Sequence, residues 1–308
     1  MYQVSVVILN WNRPNDTIDC LKSLNRLRVA SYELQAVVVD NGSTDKSLEI
    51  IGEYLEKHKK LNGVLLPNKE NLGFAGGNNV GAKYAVQSGA DFVLILNNDT
   101  IVNEDLLVHL IEAAESNKKA GILSPKIYFA KGFEFHKDWY KENELGKVIW
   151  YVGGIMDWEN VIGSNYGVDD VDIGQYQNVA QIDFATGACM FIRREVFEEV
   201  GYFDEKYFLY LEDADFSIRA KKVEWEVVFV PSASLWHKVS QSSGIGSALN
   251  DYYITRNRLL FGLRYAPTRS KIALLRESAR LLVRGREWQK KGVQDFYIWK
   301  FGKGSFNQ

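Results

Sequence analysis

The chain has 308 residues, of which 46% are hydrophobic and 25% charged, with a formal net charge of −2. That length suits one large domain, or one domain with a helical appendage, and the proportions are those of an ordinary soluble globular protein. So balanced a charge gives the whole chain no nucleic-acid signature.

The 2 cysteines, Cys20 and Cys189, sit in separate apolar contexts without metal-ligand spacing. Buried, reduced thiols in a cytoplasmic protein are the simplest expectation. Met1-Tyr2-Gln3-Val4 runs directly into a strand-like stretch, with no basic n-region or apolar h-region, and no segment is apolar for long enough to span a bilayer. The expectation is therefore a cytoplasmic chain, neither secreted through a cleavable signal nor integral to a membrane.

In chain order, Val4–Leu9 is an apolar run of strand length, and Pro14–Leu27 follows with helical spacing at Ile18, Leu21 and Leu24. Leu34–Val39 is a second buried-strand run. A helix carrying Leu48, Ile51 and Leu55 comes next, then a short strand Val64–Leu66, a helix Phe74–Ser88 and a strand Phe92–Leu96. A helix Glu104–Ser116 leads to Gly121–Ser124. Strands and helices alternating over short connections predict a parallel sheet covered on both faces, with ligands at the carboxyl ends of its strands.

Beyond Phe129 the pattern is irregular. Phe133–Tyr140 and Gly163–Gln177 read as loops, with a hairpin such as Val148–Trp158 between them. Regularity returns at Val179–Phe184 and Ala188–Arg193, then in a helix Asp213–Lys222 and a strand Trp225–Val230. The tail reads as two helices, Tyr252–Leu263 and Arg269–Gln289. From Asp251 to Gln308 there are 13 Lys and Arg against 4 Asp and Glu, leaving 24 against 35 in the remainder. A basic tail on an acidic body suggests contact with something anionic.

Three polar clusters directly follow apolar strands and should open on one crevice: Asn10-Trp11-Asn12, Asp40-Asn41-Gly42-Ser43 and Asn97-Asn98-Asp99. Asp40 can accept the imide N–H of a uracil or thymine, or hold a ribose hydroxyl; it can equally be a turn residue. Asn71-Leu72-Gly73-Phe74-Ala75-Gly76-Gly77-Asn78 is a glycine-rich loop opening a helix, suited to phosphate or to tight helix packing. No Walker sequence follows, and no Gly-x-Gly-x-x-Gly follows the first strand. Asp99 at a strand end suits a divalent cation, and His237 is a candidate second ligand favouring Mn²⁺ over Mg²⁺. In Glu212-Asp213-Ala214-Asp215 three carboxylates crowd four residues, so a cation, a helix N-terminus or a raised pKa must absorb the charge. Asp213 suits a base and Asp215 a structural anchor. Thr186-Gly187-Ala188 is a small turn that lets an acceptor or phosphate approach.

Taken in order over residues 4 to 240, these clusters resemble the inverting family 2 glycosyltransferases of the GT-A fold, in the rhamnosyltransferase and galactofuranosyltransferase-like branch. The resemblance implies an α/β, mostly parallel central sheet flanked by helices, with a transferase domain over 1–240 and a basic helical extension over 241–308. It implies a dTDP- or UDP-sugar donor, dTDP-rhamnose first, and a hydroxyl acceptor on a glycan or polyprenyl-linked glycan in surface polysaccharide synthesis. It further implies Asp40, Asn10 and Asn12 at the nucleotide, with Gly73, Gly76, Gly77, Asn78 and Asn98 completing the donor site. Thr186, Gly187 and Ala188 would lie at the acceptor or diphosphate, and Asp213 would be the base with Glu212 beside it. Asp99 and His237 would hold Mn²⁺ or Mg²⁺. One departure stands out: the first aspartate of the family's Asp-x-Asp motif is Asn97 here. The basic helix Arg269–Lys291 then has three readings: a peripheral contact with anionic lipid on the inner face of the membrane, packing on the acidic body, or a dimer contact. Rival readings are a sugar-1-phosphate nucleotidyltransferase, whose glycine- and arginine-rich first loop is missing, and a non-catalytic nucleotide-sugar or glycan-binding module.

Overall fold

The structure is a computed structural model that describes residues 1–28, 32–239 and 246–306. The expected boundary at 240/241 lies outside the described residues.

The strands are β1 (Tyr2–Asn10), β2 (Tyr32–Asp40), β3 (Val64–Pro67), β4 (Phe92–Asn97), β5 (Thr100–Val102), β6 (Ala120–Phe129), β7 (Ile149–Tyr151), β8 (Gly154–Asp157), β9 (Ile162–Asn165), β10 (Ala180–Gln181), β11 (Cys189–Arg193) and β12 (Glu226–His237). The helices are α1 (Pro14–Leu24), α2 (Ser47–Lys57), α3 (Gly73–Gln87), α4 (Leu106–Ser116), α5 (Arg194–Val200), α6 (Glu212–Lys222), α7 (Ala248–Tyr265), α8 (Thr268–Arg284) and α9 (Glu287–Tyr297).

The central sheet runs β10-β12-β6-β11-β4-β1-β2-β3. As the alternating pattern predicts, β3, β2, β1 and β4 are parallel. Beyond them β11 lies antiparallel to both β4 and β6, which makes the sheet mixed. Alternate residues of β1 face opposite cores: Val4, Val6 and Ile8 pack with α1, α2 and α4, whereas Val7 packs with α3, α5 and α6. Burial on both faces explains why these strands read as unbroken apolar runs.

Three expectations from the irregular half are corrected. The hairpin is β8–β9, while β7 joins the main sheet against β6. The strand expected over Val179–Phe184 contracts to β10, paired with β12. The strand expected to stop at Val230 continues to His237, carried past Pro231 by a register shift between Val230 and Ser234. A proline cannot donate to a ladder, so the bulge absorbs it and the strand resumes.

The tail also differs in detail. The second expected helix is broken at Gly285, whose extended backbone (φ −69°, ψ 162°) separates α8 from α9. Glycine costs about 1 kcal/mol in a helix interior, which favours a break there. All three tail helices share an apolar cluster with Tyr207, Ala214, Met156 and Phe184, so the extension packs directly on the body.

Candidate functional site

The first two polar clusters meet at the carboxyl ends of β1 and β2. Asn10 and Asp40 are directly opposite in register, and Asn10 Nδ2 donates to Asp40 Oδ2 at 2.8 Å. The other Asp40 oxygen accepts the Ser43 N–H at 3.0 Å, so this carboxylate closes its own turn. Asn12, in the left-handed region at φ 54°, accepts from the Thr44 N–H, while its own N–H donates to Ser43 Oγ. Thr17 on α1 donates to Asn10 Oδ1 and accepts from Asn98 Nδ2, extending the chain of bonds to the end of β4. Asn10, Thr17 and Asp40 are buried, whereas Trp11 is 48% exposed and stands over the strand ends.

The glycine-rich loop departs from a phosphate cradle. Its N–H groups are engaged inside the protein: Leu72 donates to Asn41 Oδ1, Gly73 to Asn71 Oδ1 and Ala75 to the Phe208 carbonyl. The glycines permit close packing. A Cβ at Gly77 would lie 2.4 Å from a Leu9 methyl, and one at Gly73 (φ +74°) would lie 2.4 Å from the Phe208 oxygen. Gly76 lies against Leu72, and buried Asn78 donates to the Phe74 carbonyl. Of these four predicted donor residues, Gly73 lines the smaller of the two clefts beside the strand ends.

Beside the strand ends lie two clefts that share Trp11. The larger, about 740 Å³, carries Asn98 and Asp99 together with the cations Arg13, Lys137 and Lys238. The smaller, about 260 Å³, is mainly aromatic, with Phe74, Phe208, Tyr253 and Phe306 around Gly73 and Asn71. Tyr253, Lys303 and Phe306 bring the C-terminal extension into its wall.

The extra length of β12 brings His237 opposite Thr100 of β5, and His237 Nε2 lies 3.0 Å from Asp99 Oδ1. His237 is buried edge-on to Trp150, and among the described residues its Nδ1 has no hydrogen-bond partner. Among the described residues no cluster of three or more His, Cys, Asp or Glu side chains forms a metal site. The Asp99–His237 pair nevertheless fits a divalent cation held partly by a donor. One carboxylate and one imidazole supply two ligands, and a diphosphate supplies hard oxygens for the rest. Cys20 and Cys189 are buried nearby, and burial pushes the Cys20 thiol up to about 12.

Asp213 lies in the first turn of α6. Its Oδ2 accepts the Gly187 N–H at 2.8 Å and its Oδ1 accepts the Ala214 N–H at 2.8 Å. The turn holding Thr186, Gly187 and Ala188 leads into β11, and the Ala188 carbonyl accepts from the Asn97 N–H of β4. The turn therefore joins Asp213 to the strand that precedes Asp99. Burial raises the pKa of Asp213, against the lowering effect of its amide bonds. Glu212 is buried with Oε2 unpartnered among the described residues, and burial followed by the Asp213 charge pushes its pKa well above the ordinary carboxylate range.

Asp215 is the structural member of this cluster. It is fully buried and accepts from Tyr207, Tyr265, Arg219 and Arg264. The partners are side chains from α6, α7 and the preceding loop. That loop is strained, with Phe208, Tyr210 and Leu211 all at φ between 64° and 71°. Asn257 on α7 holds it by donating to the carbonyls of Tyr207, Leu209 and Tyr210. Buried Arg256 adds bonds to the carbonyls of Lys206 and Tyr207. Neither residue, nor Thr17, stands out in the sequence. Their only local signal is a polar side chain amid a helix's apolar positions.

A family model described as Glycosyl transferase family 2 matches residues 5–201, which span β1 to the end of α5. The chain belongs to that family. Among curated relatives, it is 26% identical over 220 residues to the low-salt glycan biosynthesis hexosyltransferase Agl10 of Haloferax volcanii, covering 71% of this chain and 62% of that protein. It is 27% identical over 219 residues to the N-acetylglucosaminyl-diphospho-decaprenol L-rhamnosyltransferase of Mycobacterium tuberculosis, covering 68% of each. The chain thus spans roughly two thirds of the length of these relatives. Among solved structures, GalNAc-T7 with UDP, GalNAc and Mn²⁺ matches with a TM-score of 0.63 at 17% identity, over 91% of this chain and 55% of that one. S. aureus TarS 1-349 in complex with UDP-GlcNAc matches at 0.58 and 16%, over 96% and 79%. These structural likenesses establish the GT-A fold of this family 2 chain.

Proposed function

We propose that this family 2 chain is an inverting glycosyltransferase, moving a sugar from a dTDP- or UDP-sugar, rhamnose first, to a hydroxyl of a glycan or polyprenyl-linked glycan in surface polysaccharide synthesis. The observation that carries the reading is the bond from the Gly187 N–H to Asp213, which ties a half-buried carboxylate of raised pKa to the sheet end bearing Asp99. A carboxylate fixed in orientation at a strand-end crevice with a raised pKa favours a catalytic role over a non-catalytic binding module.

Asp213 would take the proton of the acceptor hydroxyl as that oxygen attacks the anomeric carbon from the face opposite the leaving nucleoside diphosphate. Its raised pKa keeps it basic enough to accept that proton, and the two amide bonds hold the carboxylate in line. Asn10, Asn12, Asp40, Asn98 and Gly73 would bound the nucleotide, with Trp11 available to stack on a ring. Arg13, Lys137 and Lys238 place positive charge along the cleft that holds Asp99, where diphosphate charge would grow. A divalent cation, Mn²⁺ or Mg²⁺ on Asp99 and His237, would supply Lewis-acid stabilisation of that charge.

No described helix is long and apolar enough to cross a membrane. We place the site of action at the inner face of the cell membrane, where polyprenyl-linked acceptors lie. The deciding experiment combines thermal stabilisation against UDP-, dTDP- and GDP-sugars, with and without Mn²⁺, and analysis of the anomeric configuration of the product. A metal-dependent rise with one nucleotide class and an inverted product are expected. No rise with any donor, or a product of retained configuration, would overturn the reading.

A further inference from the structure

The eight arginines of the tail fall into two populations. Arg264 pairs with Asp204 and Asp215, Arg258 with Glu277 and Arg286 with Asp251, and Arg256 is buried on backbone carbonyls. Those charges are absorbed within the fold. Arg269, Arg276, Arg280 and Arg284 on α8 make no ion pair or hydrogen bond among the described residues, and all four are exposed.

Beside the arginines the outward face of α8 is mainly apolar, with Thr268 in its first turn and Lys271 at its border. Ser270, Leu274 and Ser278 turn inward, and Leu274 packs toward Gly262 of α7. Outward stand Ile272 (46% exposed), Leu275 (40%), Leu282 (38%) and Val283 (73%). At 3.6 residues per turn these four fall with Ala279 in one arc roughly 100° wide, and the four arginines fall in the adjoining arc of about 80°. No acidic residue lies in either arc; Glu277, at the edge, is held by Arg258. Exposed Ile298 and Trp299 follow Tyr297, which is bonded to Ser278 of α8.

We propose that α8 docks in the plane of an anionic bilayer surface, with its apolar arc entering the headgroup–acyl boundary and its arginine arc on lipid phosphates. A solvated face would not need the apolar arc, and a purely apolar partner would leave four arginines without counter-charge. An anionic lipid surface satisfies both arcs at once, along the whole helix and without shape matching. Because α8 packs on α7, and α7 clamps the loop before Asp213, the site is joined to the docking surface through two packed helices. The proposal deepens the inner-membrane placement above, but it does not depend on the donor or on transfer.

The test is sedimentation of the full chain with phosphatidylcholine vesicles and with vesicles that also contain phosphatidylglycerol, at low and high salt. Binding is expected only to the anionic vesicles, weakened by salt. The double substitution Arg276→Glu with Arg280→Glu should weaken it about tenfold or more. Leu275→Ser with Val283→Ser should abolish salt-resistant binding. All four positions are exposed, so unchanged melting temperatures and unchanged transfer to a soluble acceptor show that the fold and the site are intact. Failure to bind anionic vesicles, binding indifferent to both double variants, or a dimer in light scattering that covers this face would each overturn the proposal. If the chain sediments with anionic vesicles but transfers no sugar, the docking surface stands and the transferase reading falls.

Discussion

The amide of Gly187 donates to Oδ2 of Asp213 over 2.8 Å, joining the first turn of α6 to the turn that enters β11. With the Ala214 amide on Oδ1, the carboxylate is fixed in orientation while burial raises its pKa. Asp213→Asn keeps the shape and removes the base. We expect kcat to fall by about 10²–10⁴ with donor affinity within a few-fold of the parent protein. An unchanged turnover would assign the base to another group.

Glu212 should make stability depend on pH. Its folded-state pKa lies well above the ordinary value, so the protonated form is favoured by folding. That contribution is complete below the ordinary carboxylate pKa and is lost as pH rises through the raised folded value. Glu212→Gln keeps the neutral form at every pH. Its melting temperature should match the parent protein in acid and exceed it increasingly toward neutral and alkaline pH. A gap that narrows as pH rises would contradict the assigned shift.

His237 meets Asp99 at 3.0 Å and has a buried Nδ1 without a partner among the described residues. We expect His237→Ala to shrink the thermal stabilisation that Mn²⁺ adds to a nucleotide sugar, while leaving the smaller rise from the nucleotide sugar alone. If the Mn²⁺ increment is undiminished, His237 serves only to orient Asp99.

Asn257 acts on the site through the backbone. Losing its side chain removes one donor from each of the carbonyls of Tyr207, Leu209 and Tyr210, next to three strained residues. Asn257→Ala should cost about 1–3 kcal/mol of stability and lower kcat more than it raises the donor Kd, measured by calorimetry and steady-state kinetics. Equal effects on both would mean that the loop serves donor binding and not the base.

Much of the family 2 body is legible in the amino-acid sequence. The apolar runs of β1, β2 and β4 and the helical spacing of α1 to α4 follow from local periodicity, and each polar cluster marks a strand end where such sheets bind ligands. The same periodicity could not follow β12 through Pro231, because a bulge preserves pairing that only the neighbouring strands β5 and β6 reveal. Nor could it assign the glycines of α3, whose purpose depends on Leu9 and Phe208, far away in sequence.

The sequence by itself determined the family, the strand ends and the crowded carboxylates at Glu212 and Asp213. Tertiary structure decided which of those groups meet. It set His237 against Asp99, gave Asp215 to a buried network, and made the tail helix α7 the clamp on the loop before Asp213. The reason is physical: chain-local patterns encode which face of an element is buried, while pairing across the sheet and buried polar bonds are settled only when distant segments pack together.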